Sequence, residues 1–316
     1  MKKFYLLTFM LFVALGAVKA DGYPESITVT FEKAGDITAN AYDQENGIYI
    51  GHVTTQNDWE NFWLTDGLDN WYGDDKTNSH KLTTSDKQNC WADGKIGDYT
   101  VYIDLKNLNW YCLEDKTVTI GSEQWITYCD ENDFIIPEGL SGYTISIEDG
   151  ILNLNLTYKT GDIVPHYTGV LLNGNAGNYT LRFTGQDLTA PAFSHIYGTA
   201  TATTVNSWEG SDGKNVLLYK LADDGTNGLG WYWDSANGQS LNCGANRCYL
   251  WLTQTEAGYV SGSARSFIRM FNDVTGVKEV IGKKEDVREA YYDLSGRRVI
   301  NPTKGLYIVN GKKILK

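Results

Sequence analysis

Gly97-Asp98-Tyr99-Thr100-Val101-Tyr102-Ile103-Asp104-Leu105, followed by Lys106-Asn107 and then Leu108-Asn109-Trp110-Tyr111-Cys112-Leu113, is the stretch on which the fold turns. In DYTVYIDL, Tyr99, Val101, Ile103 and Leu105 fall on one face, and Thr100, Tyr102 and Asp104 on the other. The first set reads as core and the second as solvent-facing. Lys106-Asn107 joins this strand to a second, LNWYCL, so the pair is a hairpin.

Upstream, from Ser26, further short strands are legible as ITVTFE, IYIGHV and NFWLTDG. Together with the hairpin they make a unit of roughly 90 residues, the size of an immunoglobulin-like sandwich. In NFWLT the alternation sets Phe62 and Leu64 on one side and Trp63 with Thr65 on the other. If Phe62 and Leu64 are core, Trp63 faces outward.

Composition extends the β reading to the whole chain. There are 21 Tyr, 33 Gly and only 5 Pro in 316 residues, with abundant Thr and Asn. Branched and aromatic side chains suit pleated surfaces, and Gly, Asn and Asp supply tight turns. After Asp115 tryptophan thins out and glycine rises, in phrases such as FIIPEGLSGYTISIEDGILNLNLTY, NVLLYKLA and GLGWYWDSANGQSLNCGANRCYLWL. These read as a second sandwich or jelly-roll module. The last piece, EAYYDLSGRRVINPTKGLYIVNGKKILK, suggests two or three small strands with turns at Ser295-Gly296 and Asn310-Gly311. The expected fold is therefore all-β: two consecutive β-sandwich or jelly-roll modules, residues 21–115 and 116–274, plus a small C-terminal β tail, 275–316.

Residues 1–20 carry Lys2 and Lys3, an apolar run from Phe4 to Val18, and Val18-Lys19-Ala20 at the expected cleavage point. This is an export signal, not a membrane span. No Cys follows it to accept a lipid, so the expected location is extracellular or the cell surface.

Residues 21–277 carry 14 basic and 34 acidic side chains, whereas 278–316 carry 10 and 5. An acidic body repels nucleic acid and anionic lipid, so no nucleic-acid partner is expected. Five cysteines in an exported chain leave at least one unpaired; Cys243 and Cys248 are spaced to close a small hairpin loop, and Cys90, Cys112 and Cys129 are unassignable. There is no C-x-x-C, and His52, His80, His166 and His195 lack a second ligand at i+2 or i+4, so neither metal nor cofactor is expected.

The candidate site lies between Trp59 and Trp91, where four of the ten tryptophans stand among Asp, Asn and Gly. Indoles in such company suit a stacking platform for a sugar ring; the other reading is ordinary core aromatics on short strands. Trp63 is the outward mid-strand candidate, Trp71, Tyr72 and Trp91 lie near loops, and Asp66, Asn70 and Lys95 are placed to bond hydroxyls. Trp59 reads as a packing residue. Trp231 and Trp233 share a side of their strand, as a second platform or as paired core aromatics.

The order FWLTDG, NWYG and GDYTVYIDL with its following strand resembles the starch-binding sandwich modules of SusE/SusF-type outer-membrane proteins of Bacteroidetes. That resemblance, over residues 26–113, implies polysaccharide bound on surface aromatics without chemistry. The second module, with IPEG, TGVLLNG, a GWYW run and an ANRCYL run, is similar to a β module near the C-termini of Bacteroidetes surface proteins. The tail, with its YDxxGR pattern and terminal lysines, resembles the domain that routes proteins through type IX secretion, which implies outer-membrane or secretion machinery as a partner.

No catalytic residue is singled out. The acids Asp43, Glu45, Asp74, Asp75, Asp130, Glu131, Asp133, Asp223 and Asp224 are mostly beside Gly or Asn and read as turn residues, without the pair across a cleft that glycoside hydrolysis needs. There is no G-x-S-x-G, and Asp43–Gly47 and Asp223–Gly228 read as surface turns rather than calcium loops. The expected function is polysaccharide binding, with a structural or adhesive protein-binding role as the alternative.

Overall fold

The computed structural model describes residues 22–67, 70–85, 87–92, 94–148, 151–190, 194–206, 216–233, 240–257 and 267–270, with the backbone of four short strands beyond them. The export signal lies outside the described residues. Among the described residues the structure is all-β, with no helix.

The N-terminal module comprises β1 (Ser26–Phe31), β2 (Gly35–Asp43), β3 (Ile48–Thr54), β4 (Asn61–Thr65), β5 (Trp71–Asp75), β6 (Asn78–Thr83), β7 (Lys87–Gln88), β8 (Cys90–Trp91), β9 (Asp98–Asp104) and β10 (Asn109–Glu114). Neighbouring strands run β5-β6-β10-β9-β3-β2-β1-β4, and β4 pairs with β5 through Leu64 opposite Tyr72 and Thr65 opposite Trp71. Eight strands thus close into a barrel-like ring, which removes the free edges an open sheet would leave. β7 and β8 add to the same sheet, pairing with β5 and β4 respectively.

Strand alternation fills the ring. Val29 and Phe31 of β1, Tyr49 of β3, Phe62 and Leu64 of β4, Val101 and Ile103 of β9 and Trp110 of β10 are buried together. Phe62 meets Trp110 edge-on at 5.3 Å. At the base, Asp74 is fully buried and accepts from Trp110 Nε1 (2.7 Å), the His80 backbone N–H (2.8 Å) and Gln88 Nε2 (3.0 Å), so its desolvation is compensated.

The hairpin is as read, with one correction. Tyr99, Val101 and Ile103 are core, but Thr100, Tyr102 and Asp104 are buried too rather than solvent-facing. The second module packs on the outer face of β9. Strand alternation cannot distinguish a face bound for water from one bound for another domain.

The second module contains β11 (Lys116–Ile120), β12 (Trp125–Tyr128), β13 (Asp133–Ile135), β14 (Leu140–Glu148), β15 (Ile151–Tyr158), β16 (Ile163–Val164), β17 (Val170–Gly174) and β18 (Gly177–Thr184). One sheet runs β11-β18-β13-β16 and a second β12-β17-β14-β15, and they share a core of Val118, Phe134, Val170, Leu172, Leu181 and Phe183. The strands that follow are β19 (Ile196–Thr199), β20 (Thr203–Asn206), β21 (Val216–Asp223), β22 (Leu229–Trp233), β23 (Ser240–Cys243), β24 (Arg247–Thr253) and β25 (Phe267–Arg269). They form a third sheet, β19-β24-β21-β22-β25, and a β20-β23 ribbon.

The layering explains the uninterrupted apolar runs. In β17, Val170 and Leu172 enter the first core, while Leu171 enters a second with Leu217, Tyr219, Leu250 and Leu252 of the third sheet. Val216, Leu218, Tyr249 and Trp251 point the other way, under Leu241 and Cys243 of β23. Strands buried on both faces read as continuous hydrophobic segments. Trp231 is fully buried and Trp233 packs against the same core, the core alternative for that pair.

All five cysteines are buried, and no disulfide joins them. The Cys243–Cys248 closure is not made, because Cys243 belongs to the core beneath the β20-β23 ribbon and Cys248 to the core on the opposite face of the third sheet. Cys243 Sγ accepts from Thr199 Oγ1 (3.1 Å), and Cys248 Sγ donates to the Tyr128 carbonyl (2.9 Å).

In the tail, β26 (Tyr291–Tyr292), β27 (Arg298–Val299), β28 (Leu306–Val309) and β29 (Lys312–Leu315) form a sheet in the order β27-β26-β28-β29. Ser295-Gly296 and Asn310-Gly311 lie outside the described residues.

Candidate functional site

β4 runs along the barrel with Phe62 and Leu64 fully buried and Trp63 on the opposite, outer face, half-buried. The β4–β5 pairing sets Trp71 opposite Thr65, the next outer position, so Trp63 and Trp71 are diagonal neighbours. Their ring centroids stand 6.4 Å apart with planes inclined at 40°. Lys87 Nζ sits 3.8 Å over the Trp71 ring and donates to the Trp71 carbonyl at 2.8 Å. A cation–π contact of this kind is worth about 0.5–1 kcal/mol at an exposed site and covers one face of the indole.

The remaining sequence candidates divide. Tyr72 and Trp91 pack against the barrel core. Trp91 meets Trp110 edge-on at 5.1 Å and lies 5.9 Å from His80, which stacks on Tyr111 at 5.3 Å. Asp66 is buried and closes its own turn, accepting from Asn70 Nδ2 (2.6 Å), the Asn70 N–H (3.3 Å) and Tyr72 Oη (3.3 Å). Both residues therefore shape the loop that leads into Trp71. Lys95 is exposed on the 94–97 loop, and its carbonyl accepts from Tyr99 Oη (2.8 Å).

Trp59 corrects the sequence reading. It is 63% exposed, not packed, and has φ of 56°. A bulky residue in the left-handed region is strained by roughly 1–3 kcal/mol and persists only where its surroundings impose it. The imposing group is the next residue. Glu60 is buried, and its carboxylate accepts four backbone N–H groups, from Ala34 (2.6 Å), Lys33 (2.8 Å), Gln56 (2.6 Å) and Asn57 (3.3 Å). Burial pushes the Glu60 carboxyl up, and the donors of Ala34, Gln56, Lys33 and Asn57 outweigh it, holding the group below its ordinary value. The loop is also tied to the 94–97 loop through Trp59 N–H to Gly94 O (3.0 Å) and Thr55 N–H to Gly97 O (2.9 Å). Ile96, on that second loop, is 60% exposed. No local signal marks Trp59, because the burial of Glu60 beside it depends on donors from residues 33, 34, 56 and 57.

Of the acids read as turn residues, Asp43, Asp75, Asp223 and Asp224 do close turns, whereas Asp74, Asp130 and Asp133 are buried and accept from groups distant in the chain. Asp43 accepts from Asn46, Asp104 from Asn107 and Asp224 from Asn227, in each case through both the backbone N–H and the side-chain amide. Among the described residues no group of three or more His, Cys, Asp and Glu is arranged to hold a metal ion.

Three cavities lie at the junction of the two modules, and none is lined by a sequence-predicted site residue. The largest, about 610 Å³, lies between β2, β3 and β9 on one side and residues 157–163 and 186–188 on the other. A smaller one, about 320 Å³, includes Ile50, His52, Ile135 and Arg182. Tyr42 lines both and bridges the modules by donating to the Gly161 carbonyl at 3.0 Å. His52 is held down at about 4 by burial and by the nearby Arg182 charge. Elsewhere at the junction, Gly185 is required because a Cβ there would fall 1.9 Å from the Tyr111 ring.

Fold and surface together define an all-β protein in which a closed barrel presents aromatic side chains and docks on a layered β module. Residues 26–114 match a family described as a domain of unknown function (DUF5111), and those bounds coincide with the first residue of β1 and the last of β10. No curated protein matches the chain, and no solved structure does.

Proposed function

We propose that this is an exported, non-catalytic glycan-binding protein that stacks polysaccharide on the outer face of the N-terminal barrel. The observation that carries the reading is the Trp63–Trp71 pair, two indoles on the outer face of strands whose inner positions are core. An offset, inclined pair suits successive rings of a twisted sugar chain, since each indole offers an apolar face and a donor N–H. The Lys87 ammonium beside Trp71 adds a donor for ring hydroxyls. Tyr72, Trp91, Asp66 and Asn70 support this surface rather than touch the ligand. Affinity is micromolar to millimolar, because a shallow platform desolvates little of its ligand. The tail is assigned to sorting or attachment at the cell surface, with secretion machinery as its partner.

Native affinity electrophoresis in gels containing starch, xylan, mannan or cellulose derivatives tests the reading. Retardation by one or more of them is expected, and migration unchanged in all of them overturns it.

A second reading, protein-protein adhesion, is favoured by Trp59 and Ile96, two large exposed apolar side chains on loops bonded to each other. Pull-down of a cell-surface protein lost on Trp59→Ala, with no glycan retardation, supports it instead.

A further inference from the structure

We propose that the groove between the barrel and the second module is a separate binding site for a neutral saccharide. The groove, about 610 Å³, is within the range of small-ligand sites, which form preferentially at domain interfaces. Its walls come from both modules and include Tyr42, Tyr102, Tyr158, Asp43, Asp104 and Asp162. No Lys, Arg or His lines it. Lys106 stands close by, its Nζ donating to Asn46 Oδ1 (2.6 Å), the residue that caps Asp43.

The carboxylates are held in place before any ligand arrives. Asp43 and Asp104 are fixed by Asn46 and Asn107, and Asp162 accepts the Lys159 N–H at 2.7 Å. Each keeps acceptor capacity beyond these bonds, so the wall offers acceptors to a ligand rich in O–H donors. An anionic ligand, such as a uronate, meets only like charge in the lining itself.

An independent observation concerns Tyr158. It is 8% exposed and lines the groove, and its hydroxyl has no hydrogen-bond partner among the described residues. A buried phenol left unpaired is costly, and its proton needs an acceptor. The phenol oxygen is closed to solvent, so a sugar hydroxyl meets it only when the Tyr158 ring turns toward the groove; that hydroxyl then accepts from the phenol and keeps a proton to donate to the wall. An ammonium or guanidinium group only donates and would leave the phenol proton unmet. Saccharide is therefore favoured over a basic peptide, although both suit the acids.

This site does not rest on the Trp63–Trp71 platform, and the test separates the two. The purified protein carrying Trp63→Ala and Trp71→Ala is titrated by calorimetry with maltoheptaose, cellohexaose, xylohexaose and mannohexaose. Hexagalacturonate and pentalysine are the contrasting probes. Two further substitutions are then added singly: Asp162→Asn, which keeps an acceptor for Lys159, and Tyr42→Ala at the exposed rim. Thermal melts confirm that each variant is folded. The expected result is that at least one neutral oligosaccharide still binds the platform variant and weakens about tenfold or more with either groove substitution, while hexagalacturonate does not bind. The proposal is overturned if no neutral oligosaccharide binds the platform variant, if binding is indifferent to both groove substitutions, or if pentalysine alone binds. Equal affinity of wild type and platform variant would count against the platform and leave the groove standing.

Discussion

Lys87 Nζ lies 3.8 Å over the ring of Trp71, on the strand next to the one that carries Trp63. One face of the second indole is thus occupied by a cation in the free protein. On the proposed reading, a ligand that stacks there must displace the ammonium or use the open face, so the contact would tune affinity.

Lys87→Ala is expected to increase quenching of tryptophan fluorescence by acrylamide, because a partly shielded indole becomes accessible. Stability should change by less than about 1 kcal/mol, the ordinary size of an exposed cation–π contact. Unchanged quenching would show that the lysine does not cover the ring in solution.

Glu60→Ala removes one carboxylate and strands four backbone donors. The expected loss is roughly 2–4 kcal/mol in denaturant unfolding, with the Trp59 loop becoming susceptible to proteolysis. Glu60→Gln should recover part of that loss, since its amide oxygen still accepts. Equal damage from both would point to charge rather than hydrogen bonding.

These two neighbours also show where the sequence is legible. Alternation in NFWLT places Trp63 outward and Phe62 and Leu64 inward, and the structure agrees because one face of β4 meets the core. The 59–60 pair has no such period, and which residue is buried depends on donors from residues 33, 34, 56 and 57. The all-β class follows from local composition. The β3–β9 pairing within the ring, the burial of Thr100 and Tyr102 under the second module, and the junction grooves depend on partners distant along the chain. The Cys243–Cys248 spacing fails for a related reason: proximity in sequence does not reveal that the two thiols belong to cores on opposite faces of a sheet.

Acid should weaken the second module through Glu256. Burial raises its carboxyl, but His195 Nε2 at 3.1 Å and the Thr253 N–H and hydroxyl, both at 2.8 Å, hold it down at about 2, against an ordinary value of 4.5. Because the folded value is depressed, the stabilisation is fully present above 4.5 and is lost as pH falls towards about 2. Thermal melts across that window should show a steeper decline for the wild type than for Glu256→Gln. Parallel curves would contradict the assignment.

Gly185→Ala drives a methyl group into the Tyr111 ring and should destabilise the junction by about 1–3 kcal/mol. Tyr111→Ala in the same chain should relieve part of that cost. A double-mutant cycle in urea reads the coupling, and strict additivity would mean the modules do not pack there in solution.

The most direct test of the account compares wild type with Trp63→Ala, Trp71→Ala and the double variant. Each is melted to confirm its fold and titrated with the polysaccharide that retards the wild type most. Two outward side chains should be removable with less than about 1 kcal/mol lost in stability. The account predicts binding weakened about tenfold or more by each single substitution and abolished by the double. Full affinity in the folded double variant would contradict it.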